Sequence, residues 1–351
     1  MKVLVTGGAG FIGSNFIQLM LNNCNNNIIN IDKLTYAGNL NSLKDIENNP
    51  NYKFYHLDIN DEIKLTKILE TEKPDYIINF AAESHVDRSI DGPMEFVQTN
   101  VVGTVKLLQC SLNYYSNLDK IKKSKFKFLH VSTDEVYGSL GDEGKFLETT
   151  RYDPSSPYSA SKASSDHFVR SWNRTFGLPT LITNCSNNYG PFQFPEKLIP
   201  VIIQKCLLEE KLPVYGKGEN VRDWLFVEDH CKAIYKVLLD GKTGETYNIG
   251  GNSEKMNIEV VKEICEIMDE FNPRKNNLRH DELIIFVKDR PGHDFRYAID
   301  ISKINKELNW APKISFNNGI RKTVQWYLEN QNWVNAIHDG SYKITRLGVT
   351  A

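Results

Sequence analysis

Along the first half of the chain, short apolar runs rich in β-branched residues alternate with stretches whose apolar positions recur every three or four residues. The runs at 3–6, 28–32, 53–57, 76–81, 126–131 and 180–185 predict strands. Residues 63–70, 95–109 and 159–176 carry helical periodicity and predict crossover helices. Strand and helix in strict alternation imply an α/β fold, a doubly wound parallel sheet covered on both faces. Beyond Cys185 the regularity weakens, and loops rich in Pro, Gly and Asn at 187–191, 216–220 and 290–294 interrupt shorter helices. This predicts a smaller C-terminal α/β domain that presents loops to a substrate. The expected boundaries are 1–186 for the first domain, with a strand and helix returning to it near 223–250. The second takes 187–222 and 251–351. The asparagine tract 22–27 reads as a solvated loop.

Composition narrows the function classes. A length of 351 residues fits two domains, and 40% hydrophobic with 25% charged residues excludes a disordered or fibrous chain. With 42 basic against 44 acidic residues and a net charge of -2, the chain has no field suited to nucleic acid or anionic lipid, so any phosphate must be bound locally. The six cysteines, Cys24, Cys110, Cys185, Cys206, Cys231 and Cys265, form no C-x-x-C pair. Neither a zinc site nor a disulfide framework is expected, and a reducing cytoplasm fits best. The apolar run before Thr6 is too short for a signal peptide, and no window approaches the roughly 18 apolar residues of a membrane span.

Chemistry first shows itself in Gly7-Gly8-Ala9-Gly10-Phe11-Ile12-Gly13, which follows the first predicted strand and opens a helix expected near Ser14. Glycines there give a tight turn and let the backbone approach a pyrophosphate at the helix N-terminus, the signature of a Rossmann-type dinucleotide site. Asp32 ends the second strand 19 residues after Gly13, where a carboxylate accepts from the adenosine ribose and repels a 2′-phosphate. NAD is therefore the expected cofactor, with Lys33 beside Asp32, and with Asp58 and Ile59 flanking the adenine.

Tyr158 and Lys162 stand four residues apart on a helix announced by Asp153-Pro154-Ser155-Ser156-Pro157, so both leave the same face. An ammonium near a phenol, together with the positive nicotinamide ring, stabilises the phenolate and makes a base for an alcohol losing hydride. The fifth strand runs into Thr133, Asp134 and Glu135 at the carboxyl edge of the sheet, where such sheets bind ligands. Two adjacent carboxyls in a closed site resist double ionisation. One can serve as an acid while the other serves as a base.

With its glycine turn joined to Tyr158 and Lys162, the sequence resembles the extended short-chain dehydrogenase/reductase family. The Thr133-Asp134-Glu135 triple, with the segments 81–87, 186–191, 195–200, 220–224 and 289–294, resembles its nucleotide-sugar 4,6-dehydratase branch over nearly the whole chain. Asn184 departs from the pattern, since relatives usually show Arg there. The resemblance implies a hydro-lyase that oxidises C4 of a nucleotide-linked glucose, eliminates water across C5 and C6, and returns hydride to C6. The implied substrate is dTDP-glucose, with UDP-glucose as the alternative and an epimerase as the more distant one. It adds Ala81 and Ala82 to the cofactor side. On the substrate side it places Ser84, His85 and Arg290, assigns the diphosphate to Arg222, Asn187 and Asn257, and sets Lys197 and His293 near the nucleotide. It also implies a homodimer built on the helices at 95–115 and 159–176.

Overall fold

The computed structural model describes residues 1–23 and 26–339. Its strands are β1 (Lys2–Thr6), β2 (Asn27–Asp32), β3 (Tyr52–His56), β4 (Tyr76–Asn79), β5 (Lys127–Thr133) and β6 (Thr180–Cys185), then β7 (Asn187–Tyr189), β8 (Leu212–Tyr215), β9 (Val221–Phe226), β10 (Thr246–Ile249), β11 (Glu254–Met256) and β12 (Ile284–Val287). Seven of them form one sheet in the order β10-β6-β5-β4-β1-β2-β3, every neighbouring pair parallel. Strands buried on both faces read as nearly continuous apolar runs, as Val3-Leu4-Val5 does. One face packs Phe16, Ile17, Met20, Ile234 and Val237, and the other packs Leu65, Leu69, Leu107 and Leu108. The strand order reverses between β1 and β4, which opens a crevice at their carboxyl ends.

The predicted elements are present with instructive differences at their ends. β5 runs two residues past the predicted 131, carrying Ser132 and Thr133 in register with Asn184 and Cys185 of β6. β4 stops at Asn79 instead of 81, because Ala81 passes under Gly7 in place of extending the ladder. β3 begins and ends one residue earlier than predicted. The first helix starts at Phe11 and not near Ser14, since Ser14 N already bonds Gly10 O at 2.9 Å. The predicted helix 95–109 is three pieces: a short turn at Pro93–Phe96, a π-helical segment Val97–Gly103 and an α-helix Thr104–Ser116. Gly103 lies against Ile59, where a Cβ would come within 2.8 Å of the Ile59 side chain. The helix predicted at 159–176 spans Pro157–Phe176, capped by Ser156 and ended by Gly177 at φ 71°.

The asparagine tract is not a free loop throughout, because Asn26 is buried with its amide on Met20 O and Asn27 opens β2. Cys24 and Asn25 of that tract, and residues 340–351 of the expected second domain, lie outside the described residues. Beyond β6 the chain builds a three-stranded sheet, β11-β9-β7, and a parallel pair, β12-β8. Apolar side chains of these strands and of the helices Leu198–Leu207, Asn257–Phe271 and Phe316–Glu329 form a separate cluster around Tyr189, Ile202, Ile264, Val324 and Tyr327. This smaller lobe stands over the carboxyl ends of the main sheet, and the loops between the two enclose the site.

Candidate active site

A single cleft of about 540 Å³ is lined by every candidate residue of the sequence, from Gly7 to His293. Its floor is the glycine turn. Gly7 adopts φ +70°, and a Cβ there would meet Ala81 N at 2.6 Å. A Cβ on Gly13 would meet Gly7 O at 2.3 Å. The turn therefore exists only as glycine, and it leaves backbone facing the cleft, which fits a pyrophosphate. Asp32 closes this side, accepting from Ala9 N at 2.9 Å and Leu34 N at 2.8 Å. Burial raises its pKa against those two hydrogen bonds. Lys33 pairs with Asp58 at 2.9 Å, and both line the cleft.

Thr133 ends β5 and caps the 3-10 turn Asp134–Tyr137, its hydroxyl accepting from Glu135 N at 3.3 Å. That turn points both carboxyls into the cleft. Asp134 is 1% exposed, lies 3.4 Å from the Thr133 hydroxyl, and has no hydrogen-bond partner for Oδ2 among the described residues. Burial, then the charges of Glu135 and Asp223, lift its pKa well above the carboxylate range. Burial raises Glu135 too, but Arg290, Lys197 and Arg222 oppose the rise. The two carboxyls thus have different surroundings, one poised to keep a proton and the other faced by cations.

Tyr158 and Lys162 leave one face of their helix as the spacing requires. The expected electrostatics differ, however. Lys162 Nζ donates to Val131 O at 2.9 Å and lies 3.4 Å from His130 Nε2. Burial lowers its pKa to about 8, while Asp166 and Cys185 pull it up. Burial and the Glu135 carboxylate push the Tyr158 phenol well above its ordinary value. The protein's own groups therefore hold the phenol protonated, contrary to the depression read from the Tyr/Lys spacing.

Across the cleft, the cations are already engaged. Arg222 is 5% exposed, donates to Val221 O at 2.7 Å and Asp294 O at 2.9 Å, and sits 4.2 Å from the Tyr297 ring centroid. Arg290 pairs with Asp87 at 3.1 Å, and Tyr215 donates to the other oxygen of the same carboxylate at 3.1 Å. Lys197 donates to Ser84 O at 2.7 Å. His85 accepts at Nδ1 from Arg88 N and faces Glu196 O through Nε2 at 3.2 Å; burial and then Lys197 lower its pKa to about 2. His293 sits 2.7 Å from Asp289, and burial followed by Arg290 and Arg222 lowers it to about 4. Both imidazoles are neutral at pH 7. The Asn187 carbonyl oxygen is buried without a partner among the described residues, and Asn257 lines the same wall.

A family model described as GDP-mannose 4,6 dehydratase matches residues 4–323. The chain is 56% identical to the dTDP-glucose 4,6-dehydratase of Shigella flexneri over 352 residues, covering 98% of this chain and 97% of that one. It belongs to the dTDP-glucose 4,6-dehydratase family. A crystal structure of the Bacillus anthracis dTDP-glucose 4,6-dehydratase in complex with NAD superimposes with a TM-score of 0.85 at 47% identity, over 96% of this chain and 99% of that one. The Streptomyces venezuelae dTDP-glucose 4,6-dehydratase with NAD and TYD bound gives 0.87 at 44%, over 96% and 100%.

Several cleft residues were not singled out from the sequence as ligands: Glu83, Asp87, Glu196, Tyr215 and Tyr297. Asp87 and Glu196 stand inside motif segments already noted, next to chosen neighbours. Tyr215 and Tyr297 had no local signal, because only the packing of the smaller lobe brings them to the cleft. Asn184, which the resemblance marks as a departure, donates to Thr133 O at 3.0 Å and so braces the end of β5, where the Asp134–Tyr137 turn begins, from the neighbouring strand.

Proposed function

We propose that this chain is an NAD-dependent hydro-lyase that converts dTDP-glucose to dTDP-4-keto-6-deoxyglucose and water. The observation that carries the reading is the carboxyl pair beside Tyr158, with Asp134 buried, its Oδ2 unpartnered among the described residues, and the half-buried Glu135 faced by three cations. A simple oxidoreductase needs no such pair. Bound NAD accepts hydride from C4 and returns it to C6. Gly7, Gly10, Phe11, Ile12, Gly13, Asp32, Lys33, Asp58, Ile59, Ala81, Ala82, Tyr158 and Lys162 hold it.

Tyr158, as phenolate, takes the proton of the C4 hydroxyl, and Thr133 hydrogen-bonds the same oxygen. The positive charge that the phenol needs is supplied by Lys162 and by the cofactor. The C4 ketone acidifies the C5 proton, which Glu135 removes while protonated Asp134 gives its proton to the departing C6 hydroxyl. Glu135 then reprotonates C5, and exchange with solvent after turnover removes the proton from Tyr158 and restores that of Asp134. Arg222, Asn187, Asn257 and Arg290 hold the diphosphate; Lys197, Ser84, His85 and His293 border the nucleotide and sugar. For Arg290 this means exchanging Asp87 for phosphate oxygens, a charge-assisted bond for another of the same kind.

Residues 1–186 with the return at 223–250 bind NAD in this proposal, and 187–222 with 251–351 bind the nucleotide sugar. The chain acts as a homodimer in the cytoplasm. Support for the dimer comes from the exposed Phe168 and Phe176, which flank Trp172 in an edge-on ladder along one helix, and from Val97 on the other. Light scattering at micromolar concentration should give twice the chain mass, and a monomer refutes the assembly. Incubation with dTDP-glucose and, separately, UDP-glucose tests the activity. A keto sugar absorbing in alkali with mass loss of one water is expected from dTDP-glucose. Turnover of UDP-glucose alone, or an epimer of unchanged mass, overturns the proposal.

A further inference from the structure

The helix Pro157–Phe176 carries Tyr158, Lys162, Asp166 and Arg170 at four-residue spacing, so one face presents phenol, ammonium, carboxylate and guanidinium in succession. The proposed chemistry uses the first two and gives Asp166 nothing to do. Asp166 is nevertheless fully buried, where a carboxylate survives only with hydrogen bonds and a counter-charge. Its Oδ2 accepts from Ser132 at 2.9 Å and Tyr152 at 2.8 Å, with the Asn184 amide at 3.5 Å. Its Oδ1 makes no hydrogen bond among the described residues; His130 Nε2 stands 3.5 Å from it, and the same nitrogen is 3.4 Å from Lys162 Nζ.

The hydrogen-bond chain assigns the tautomer of that histidine. Thr6 Oγ1 donates to Asn79 Oδ1 at 2.6 Å, which turns the Asn79 amide nitrogen to His130 Nδ1 at 3.1 Å. Nδ1 is then the acceptor, and Nε2 carries the proton toward Asp166. Burial and the nearby Lys162 charge hold the imidazole neutral. Other groups facing the cluster do not replace the carboxylate. Cys185 on β6 is a buried thiol whose pKa burial pushes up, Asn100 of the π-helical turn is uncharged and bonds Ser161 at 2.8 Å, and Arg170 is held by Tyr152 at 2.6 Å.

We propose that Asp166 is a positioning residue for the reaction: as the buried counter-charge of Lys162, acting through space across the neutral His130 ring and not through a hydrogen-bonded relay, it keeps that lysine an ammonium one helical turn from Tyr158. The role in turnover rests on the function proposed above. A neutral lysine would offer the phenolate no charge, so the loss of Asp166 should act on activity through the titration of Lys162.

Lysine labelled with carbon-13 reads that titration directly in the full-length protein, the Lys162 resonance being identified by its loss in Lys162→Met. In the unaltered protein the midpoint is expected at about 8. Asp166→Asn should lower it by about one pH unit or more, the scale of an opposite charge close by. The alkaline limb of kcat should move down by the same interval, with activity recovering at lower pH. A merely structural role would reduce kcat at every pH and leave the midpoint in place, and that result overturns the proposal. If Asp166→Asn does not fold, Ser132→Ala removes one hydrogen bond to the carboxylate and should give a smaller shift in the same direction; an unmoved midpoint there is equally fatal. Should the unaltered protein act on neither dTDP-glucose nor UDP-glucose, the proposed function fails while the Lys162 titration still decides the part played by Asp166.

Discussion

In the function proposed above, the two walls of the cleft would meet phosphate in opposite ways. On the glycine side the receptor is backbone, fixed by turns that a single Cβ would block, and its carboxylate Asp32 ties Ala9 and Leu34 together. On the lobe side the receptors are cations parked on the protein's own acceptors: Arg290 on Asp87, Lys197 on Ser84 O, Arg222 on Val221 O and Asp294 O. The first wall suits a ligand that stays bound, because nothing must be displaced for it to enter. The second suits a ligand that comes and goes, because each cation the proposal assigns to it also has an acceptor within the protein. The carboxyl pair Asp134 and Glu135 follows directly on the end of β5 in the main sheet and lines the same cleft.

The largest effect should come from breaking the rigid wall. Gly13→Ala places a methyl group 2.3 Å from Gly7 O, so the turn must open. We expect protein that folds but carries no copurified NAD, and turnover should fall to background. Retention of the cofactor by that variant would show that the turn is softer than its geometry implies.

Next comes the carboxyl pair. Glu135→Gln and Asp134→Asn should each lower turnover by roughly 100-fold or more while NAD stays bound, the usual scale for a positioned acid or base. In heavy water Glu135→Gln should also lose exchange at C5, whereas Tyr158→Phe should block the step before it. Exchange by Glu135→Gln at the unaltered rate would remove Glu135 as the base.

The exchangeable wall should respond through substrate affinity alone. Arg290→Ala should raise KM for dTDP-glucose about 10- to 100-fold, the range expected for losing a charged hydrogen bond of about 1.5–3 kcal/mol, with the NAD content unchanged. A fall in cofactor retention would mean that the two walls are not independent. Smallest is Asp32→Ala, which should weaken NAD retention by about tenfold or less and relax discrimination against NADP, measured by competition for the apo-protein. Copurified NADP in the unaltered protein would reverse the cofactor assignment.

Local pattern in the sequence determined much of this protein. Apolar runs at the strand period, helical periodicity between them, the glycine turn and the i, i+4 pair Tyr158 and Lys162 are short-range signals, and each corresponds to an observed element. The substrate-side residues were legible only through a family resemblance, since Arg222, Arg290 and His293 carry no local signature. What tertiary structure alone decided is the environment of each group. Whether the Tyr158 phenol is lowered or raised depends on burial and on Glu135 across the cleft. Whether Lys162 points at that phenol or at Val131 O depends on how the helix sits on β5. The ion pair of Arg290 with Asp87 joins residues 203 positions apart. Desolvation and Coulomb interactions act through space and not along the chain. The sequence could therefore name the chemical groups of the cleft, while only the folded protein could set their protonation and their partners.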